Sequence, residues 1–294
     1  MSAPPKRIIA AGKRLVFYDY DEPTDQHLSD ESAPIAVLYN SVFYTFITAH
    51  AKCVKIWDAT SGELTSVFRD ITSKEITAIC MDSRERKLFI GTQKGKVFAI
   101  NIKNGVKMKK FKKHGKDTSA FCYWPQKKRL ISASWDGVVR IHDDTDPSVG
   151  PSRYKFKFHQ KTACNSVSFN PLEEVVASAS DDKTVVIANL NTYRHEATLD
   201  QHDSEVKVVL FLTPFDALVS ADLSGSLYFY AVAPSRRRNQ LLIKIKDDIE
   251  SEVGGIENFP FRALAFDNAR YLLFTGDEMG HIHKWDLTQF IFKL

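Results

Sequence analysis

Imidazoles, thiols and a dense run of lysines are the groups in this 294-residue chain that could carry chemistry. His114, His159 and His202 stand 45 and 43 residues apart. A catalytic site needs groups that converge on one point, whereas side chains repeated at a fixed interval are spread over repeated units. These three histidines therefore read as parts of buried hydrogen-bonded networks. His281 and His283 form an H-x-H pair on an expected strand, where both rings leave one face at a spacing able to grip a metal. A zinc site needs at least three protein ligands and no third is evident, so no metal is expected. Cys53, Cys80, Cys122 and Cys164 form no C-x-x-C pair and are flanked by strand-type residues, which suits small buried apolar side chains in a reducing compartment. The sequence contains no G-x-S-x-G elbow, phosphate-binding P-loop, H-E-x-x-H helix or paired-carboxylate motif. Gly91 and Gly95 lie in a hairpin rather than at a helix N-terminus, which gives them turn duty. Neither catalysis, nor a cofactor, nor a small-molecule substrate is expected.

Two features suit contact with a partner. The run Lys107 to Lys116 holds six lysines in ten residues, around Phe111 and His114. Its central cations, Lys109, Lys110, Lys112 and Lys113, suit an acidic protein surface better than nucleic acid, because the regular aromatic interleaving that stacks bases is missing. Trp135 stands at a turn tip, either folded back over its own loop or presented as an aromatic anchor. Arg236-Arg237-Arg238 forms a second basic cluster in a loop on the opposite face.

A repeat positions these residues. Trp57-Asp58, Ile100-Asn101, His142-Asp143, Ala188-Asn189, Tyr230-Ala231 and Trp285-Asp286 fall 42 to 55 residues apart, each closing a similar pattern. Within each period, short runs of β-branched and aromatic residues are separated by turn residues, and no segment sustains a 3.6-residue period. The unit 117–158 shows four strands, Thr118 to Trp124, Arg129 to Ser134, Val138 to Asp143 and Arg153 to Phe158, with a tight turn at Trp135-Asp136-Gly137. Comparable units cover 33–70, 75–113, 162–200, 204–246 and 259–294, the last using Gln289 to Leu294 as its fourth strand. Sheets this small bury both faces only by stacking, and radial stacking protects their edges. The expectation is an all-β chain forming a single seven-bladed β-propeller over 1–294. Its first blade, 6–21, is an incomplete hairpin and its closure is imperfect, either because that blade is a two-stranded remnant or because the chain is a shortened member of a longer family.

These dipeptides and strands resemble WD40-repeat proteins. The resemblance implies a network in each blade that joins a loop histidine, a serine or threonine of the second strand, an aspartate of the following turn and a tryptophan of the third strand. Carried onto this chain, it gives His114, Ser132 and Asp136 in one unit, with His142 at the tryptophan place. The next unit gives His159, Ser178 and Asp182, with Ala188 there. The third gives His202 and Ser220, with Ser224 at the aspartate place and Tyr230 at the tryptophan place. Trp57 and Trp285 keep the tryptophan without the full set. The stretches Val37-Leu38-Tyr39-Asn40, Lys55-Ile56-Trp57-Asp58, Asp82-Ser83-Arg84-Glu85-Arg86-Lys87 and Ser132-Ala133-Ser134-Trp135-Asp136-Gly137 are similar to the long WD-repeat proteins of motile cilia, several of which carry EF-hands. That similarity implies a scaffold in the axoneme. Calcium is not carried over, since Asp143-Asp144-Thr145-Asp146 lacks the Gly and Glu that a calcium loop needs.

The net charge of +4 is mild for this length and disfavours a dedicated nucleic-acid binder. No apolar run reaches the length of a membrane span and the start lacks a signal-peptide core, so a cytoplasmic protein is expected. The sequence reading is a non-enzymatic scaffold for other proteins, tubulin or axonemal components among them, at a cilium or on the cytoskeleton. The alternative is a nucleic-acid or ribonucleoprotein module using Lys107 to Lys116.

Overall fold

The computed structural model describes residues 7–11, 15–19, 33–145, 154–159, 162–232, 240–246, 249–250, 256–257 and 259–291. Arg236 to Arg238 and Asp146 lie outside these residues. Six sheets of blade form follow one another along the described chain, numbered here in order. Blade 1 comprises Ala36–Asn40, Thr45–Ala49, Val54–Asp58 and Leu64–Phe68, and blade 2 Ile76–Met81, Lys87–Thr92, Val97–Asn101 and Lys107–Lys110. Blade 3 comprises Thr118–Trp124, Arg129–Ser134, Val138–Asp143 and Tyr154–Lys157, and blade 4 Cys164–Asn170, Val175–Ser180, Val185–Asn189 and Arg194–Leu199. Blade 5 comprises Val206–Phe211, Ala217–Asp222, Ser226–Ala231 and Gln240–Lys246. Blade 6 has three described strands, Phe261–Asp267, Leu272–Asp277 and Ile282–Asp286.

Two expectations are corrected. The described blades number six, not seven. Among the described residues, Arg7–Ala11 and Leu15–Asp19 pair only with each other, as a two-stranded hairpin. An isolated hairpin shows the same two-residue alternation as the inner pair of a blade, which is why the sequence counts it as one. The segment expected as the fourth strand of blade 6 instead begins with a short α-helix, Thr288–Ile291. Asp286 Oδ1 accepts the Thr288 N–H at 2.8 Å, and Leu287, Phe290 and Ile291 recur at helical spacing and join the apolar cluster around Phe229 and Leu273.

Burial follows strand order. The second strand of blade 4 and the second and third of blade 5 are buried at every position. Both faces of such inner strands are covered, so they read as near-continuous apolar runs. Fourth strands such as Lys107–Lys110 are mostly exposed and rich in charge. A register shift opens the pairing of the first two strands at Ile76/Ala78, Cys164/Ser166, Val206/Val208 and Phe261/Ala263. Each is a bulge that adds one residue and increases local twist.

The chain packs as two compact units, Met1–Leu130 with His142–Arg153, and Ile131–Ile141 with Tyr154–Leu294. In the first, Ile47, Val54, Ile76, Leu88 and Ile100 form an apolar core, and Phe89, Val97, Phe111 and Leu130 a second. In the second, Val185, Leu218, Tyr228 and Tyr230 pack together. Two turn glycines set the loops that carry histidines. A Cβ on Gly95 would lie 2.6 Å from the His114 carbonyl oxygen, and one on Gly137 2.0 Å from that of His159, and both residues hold positive φ. The turn between second and third strands can press against the histidine loop only because no side chain intervenes.

Candidate functional site

In blade 4, His159 Nε2 lies 2.9 Å from Ser178 Oγ and its Nδ1 2.8 Å from Asp182 Oδ2. Thr184 donates to the other Asp182 oxygen from both its hydroxyl, at 2.6 Å, and its N–H, at 3.0 Å. Burial alone would raise the Asp182 carboxyl, but the hydrogen bonds from His159 and Thr184 outweigh it and hold the group at about 2. In blade 5, His202 Nε2 lies 2.7 Å from Ser220 Oγ. The carboxylate of that blade is Asp222, not the turn position of Ser224. Asp222 accepts Ser224 Oγ at 2.6 Å on one oxygen and Tyr228 OH at 3.1 Å on the other. Burial drives His202 down to about 4, against the upward pull of the Asp222 charge and the Lys183 backbone.

The two retained tryptophans share one device: Trp57 Nε1 donates to Thr48 Oγ1 at 2.9 Å, and Trp285 Nε1 to Thr275 Oγ1 at 3.1 Å. Thr48 is also 2.9 Å from His50 Nε2. His114 is buried, with its ring 6.4 Å from that of His142. Ser132 is buried on the second strand of blade 3, and Asp136 Oδ1 accepts the Val138 N–H at 3.1 Å in the turn that follows. His281 and His283 meet a carboxylate: Asp277 Oδ2 lies 2.8 Å from His281 Nδ1 and 3.8 Å from His283 Nε2. Among the described residues, no three His, Cys, Asp or Glu side chains are gathered as a metal would require. Burial pushes the Cys80 thiol up to about 12 and raises that of Cys164, which disfavours the reactive thiolate at both.

The lysine run divides. Lys107, Lys110 and Lys113 line a groove of about 300 Å³ together with Lys96, Phe98 and Phe111. Lys107 Nζ stands 5.4 Å from the centre of the Phe98 ring. Lys109 is drawn away, its Nζ donating to the Asp143 carbonyl oxygen at 2.6 Å, and Lys112 is exposed outside the groove lining. Trp135 is 48% exposed on its turn, so its indole is only partly covered.

Residues 105–143 and 150–189 match the family described as WD domain, G-beta repeat. The chain carries WD40 repeats. It is 21% identical over 248 residues to Cilia- and flagella-associated protein 337 B of Tetrahymena thermophila, covering 83% of this chain and 20% of that protein. It is also 22% identical over 184 residues to U3 small nucleolar RNA-associated protein 21 of Saccharomyces cerevisiae, covering 62% of this chain and 19% of that protein. The chain thus spans about a fifth of the length of each of these two relatives. Among solved structures, a chain of the Mitotic Checkpoint Complex matches with TM-score 0.81 at 14% identity, over 95% of this chain and 87% of that one. U3-55K matches with TM-score 0.79 at 16% identity, over 94% and 86%. These likenesses give the fold, an all-β propeller.

WD40 repeats are suited to protein–protein interaction. No helix among the described residues is long and apolar enough to cross a membrane. Several positions escaped the sequence reading. Lys96 sits outside the lysine run and joins it only because adjacent strands of blade 2 pair. Thr48 lies on the second strand of blade 1 and His50 just beyond its end, two residues on. Val42, Phe43 and Tyr44 form an exposed apolar turn, held by the Glu85 carboxylate accepting the Ser41 N–H at 2.5 Å and the Val42 N–H at 3.1 Å.

Proposed function

We propose that the chain is a non-enzymatic platform for protein–protein contacts at a cilium or on the cytoskeleton, and that its lysine groove takes an acidic segment of a partner. One observation carries this reading: four lysines, Lys96, Lys107, Lys110 and Lys113, line one groove with Phe98 and Phe111 on its wall. Convergent cations beside aromatic surface favour an anionic chain with some apolar contact. The carboxylate-rich tails of tubulin have this chemistry, and the ciliary relative supports the setting. The test is cosedimentation with microtubules at low and high salt. Exchanging the four groove lysines for serine should weaken binding at least ten-fold and flatten its salt dependence. Exchanging Lys109 and Lys112, which lie outside the groove lining, should change it little. Equal losses from both sets would reduce the groove to a charged surface without specificity.

A second reading rests on Tyr154-Lys155-Phe156-Lys157-Phe158 and on the relative associated with U3 small nucleolar RNA. Alternating aromatic and basic residues suit single-stranded RNA. Here the aromatic faces are engaged internally, Tyr154 on Tyr193 at 3.6 Å and Phe156 on Phe158 at 4.7 Å between ring centres. Protein contact is therefore the stronger reading. Salt-sensitive binding of polyuridylate abolished by Phe156→Ala would reverse that order.

A further inference from the structure

A second pocket, of about 440 Å³, shares none of the lysine groove's lining residues. The Asp144 side chain, only 5% exposed, lies on its lining. Asp144 Oδ2 accepts Lys87 Nζ at 2.8 Å and Tyr123 OH at 3.3 Å. Asp144 Oδ1 is buried and has no hydrogen-bond partner among the described residues. Leaving such an acceptor unpaired costs about 1–3 kcal/mol, so a donor reaching it from beyond the described residues would be stabilising.

The surrounding charge says what kind of donor. Lys87 already balances Asp144, and Arg84, Arg86 and Lys128 stand exposed around the same pocket with no carboxylate partner among the described residues. Asp82, also on the lining, is committed through Oδ1 to the N–H groups of Arg86 and Lys87, at 2.8 and 2.9 Å. A further cation at Asp144 would be repelled by these four basic groups. A neutral hydroxyl would not. The exposed guanidinium and ammonium groups call for anions, and arginine's planar fork matches phosphate. The pocket also falls in the range of about 300–1,000 Å³ usual for small-molecule sites.

We propose that this pocket binds a phosphorylated polyol, with a hydroxyl donating to Asp144 Oδ1 and phosphate on Arg84, Arg86 and Lys128. The site is independent of the partner contact assigned to the lysine groove. A free inositol phosphate and a lipid headgroup offer the same chemistry.

The test is calorimetric titration of the full chain with an inositol trisphosphate, which has free hydroxyls, and with inositol hexakisphosphate, which has more charge and none. The trisphosphate should bind, and Asp144→Ala should weaken it at least ten-fold while leaving the hexakisphosphate unchanged. The triple exchange of Arg84, Arg86 and Lys128 for serine touches only exposed side chains and should weaken both ligands, which keeps the test valid if the Asp144 variant fails to fold. Vesicles carrying a phosphoinositide trisphosphate headgroup distinguish the sources: flotation with the protein assigns the lipid, and its absence alongside trisphosphate binding assigns the free polyol. No trisphosphate binding at millimolar concentration, or equal sensitivity of both ligands to Asp144→Ala, would overturn the assignment. So would loss of binding on exchange of the groove lysines instead.

Discussion

His159 and His202 stand 43 residues apart in the loops before blades 4 and 5, and each brings Nε2 to a serine of the second strand, at 2.9 and 2.7 Å. They differ at the carboxylate. In blade 4, Asp182 lies 2.8 Å from the imidazole. In blade 5, the corresponding turn holds Ser224, and the nearby Asp222 is taken up by Tyr228 and Ser224 instead. One slot of a repeat thus holds either a histidine–carboxylate pair or a solitary histidine kept neutral by burial. What a repeat conserves is the slot's shape and its serine, while its electrostatics depend on which neighbouring residue supplies the anion.

The largest expected consequence is acid sensitivity from blade 5. Folding lowers the proton affinity of His202 from 6.5 to about 4, so between these pH values the unfolded chain holds a proton that the folded chain refuses. Stability should therefore fall as pH drops from about 6.5, with the loss complete below about 4 and on the order of 3 kcal/mol. Urea midpoints at stepped pH measure it. His202→Gln, which does not titrate, should flatten that slope, and an unchanged slope in the variant would show that another group is responsible.

Next in size is removal of the blade 4 imidazole. His159→Ala strips Asp182 and Ser178 of a partner at once and should cost about 2–3 kcal/mol near neutral pH. A shift in urea midpoint smaller than that of His202→Ala would mean that the carboxylate bond contributes little. A milder break is Asp182→Asn. The carboxyl falls from 3.8 to about 2 on folding, so its contribution is present above 3.8 and lost as pH falls through about 2. Allowing for its partial exposure, the variant should lose on the order of 1–2 kcal/mol at neutral pH and converge on the parent in strong acid. The two blades therefore titrate in separate windows, which one pH series resolves.

How much of this was legible varies with the range of the interaction. Trp57, Trp285 and the histidine spacing give the repeat directly, because each blade is a local unit with its own periodic signal. The count of blades was not legible, since the hairpin at Arg7–Asp19 carries the same alternation as a blade's inner pair and only pairing shows that no other described strand joins it. Thr288–Ile291 is short enough that its two apolar residues, with Leu287 before them, fit strand and helix alike. In the candidate sites, Lys96 and Asp144 are brought to their neighbours by strand pairing and blade packing, which no linear motif records. The carboxylate of blade 5, Asp222, stands two residues before Ser224, the position that the resemblance marks for an aspartate, and no motif points to it.

The smallest expected effects separate two tyrosines of the third strand of blade 5. Tyr228 and Tyr230 both pack near the His202 ring, at 4.5 and 5.8 Å between centres. Tyr228 OH donates to Asp222 at 3.1 Å and accepts the Asp203 N–H at 3.2 Å. Tyr230, in the position that Trp57 holds in blade 1, reaches His202 Nε2 only at 3.5 Å. Bonds of that length contribute little, whereas loss of the Tyr228 hydroxyl leaves a buried carboxylate short of a donor. Tyr228→Phe should cost about 1–2 kcal/mol and Tyr230→Phe less than about 0.5 kcal/mol. If Tyr230→Phe proves the costlier in urea titration, the third-strand hydroxyl substitutes for the missing carboxylate after all, and the solitary histidine of blade 5 is a paired one with a different partner.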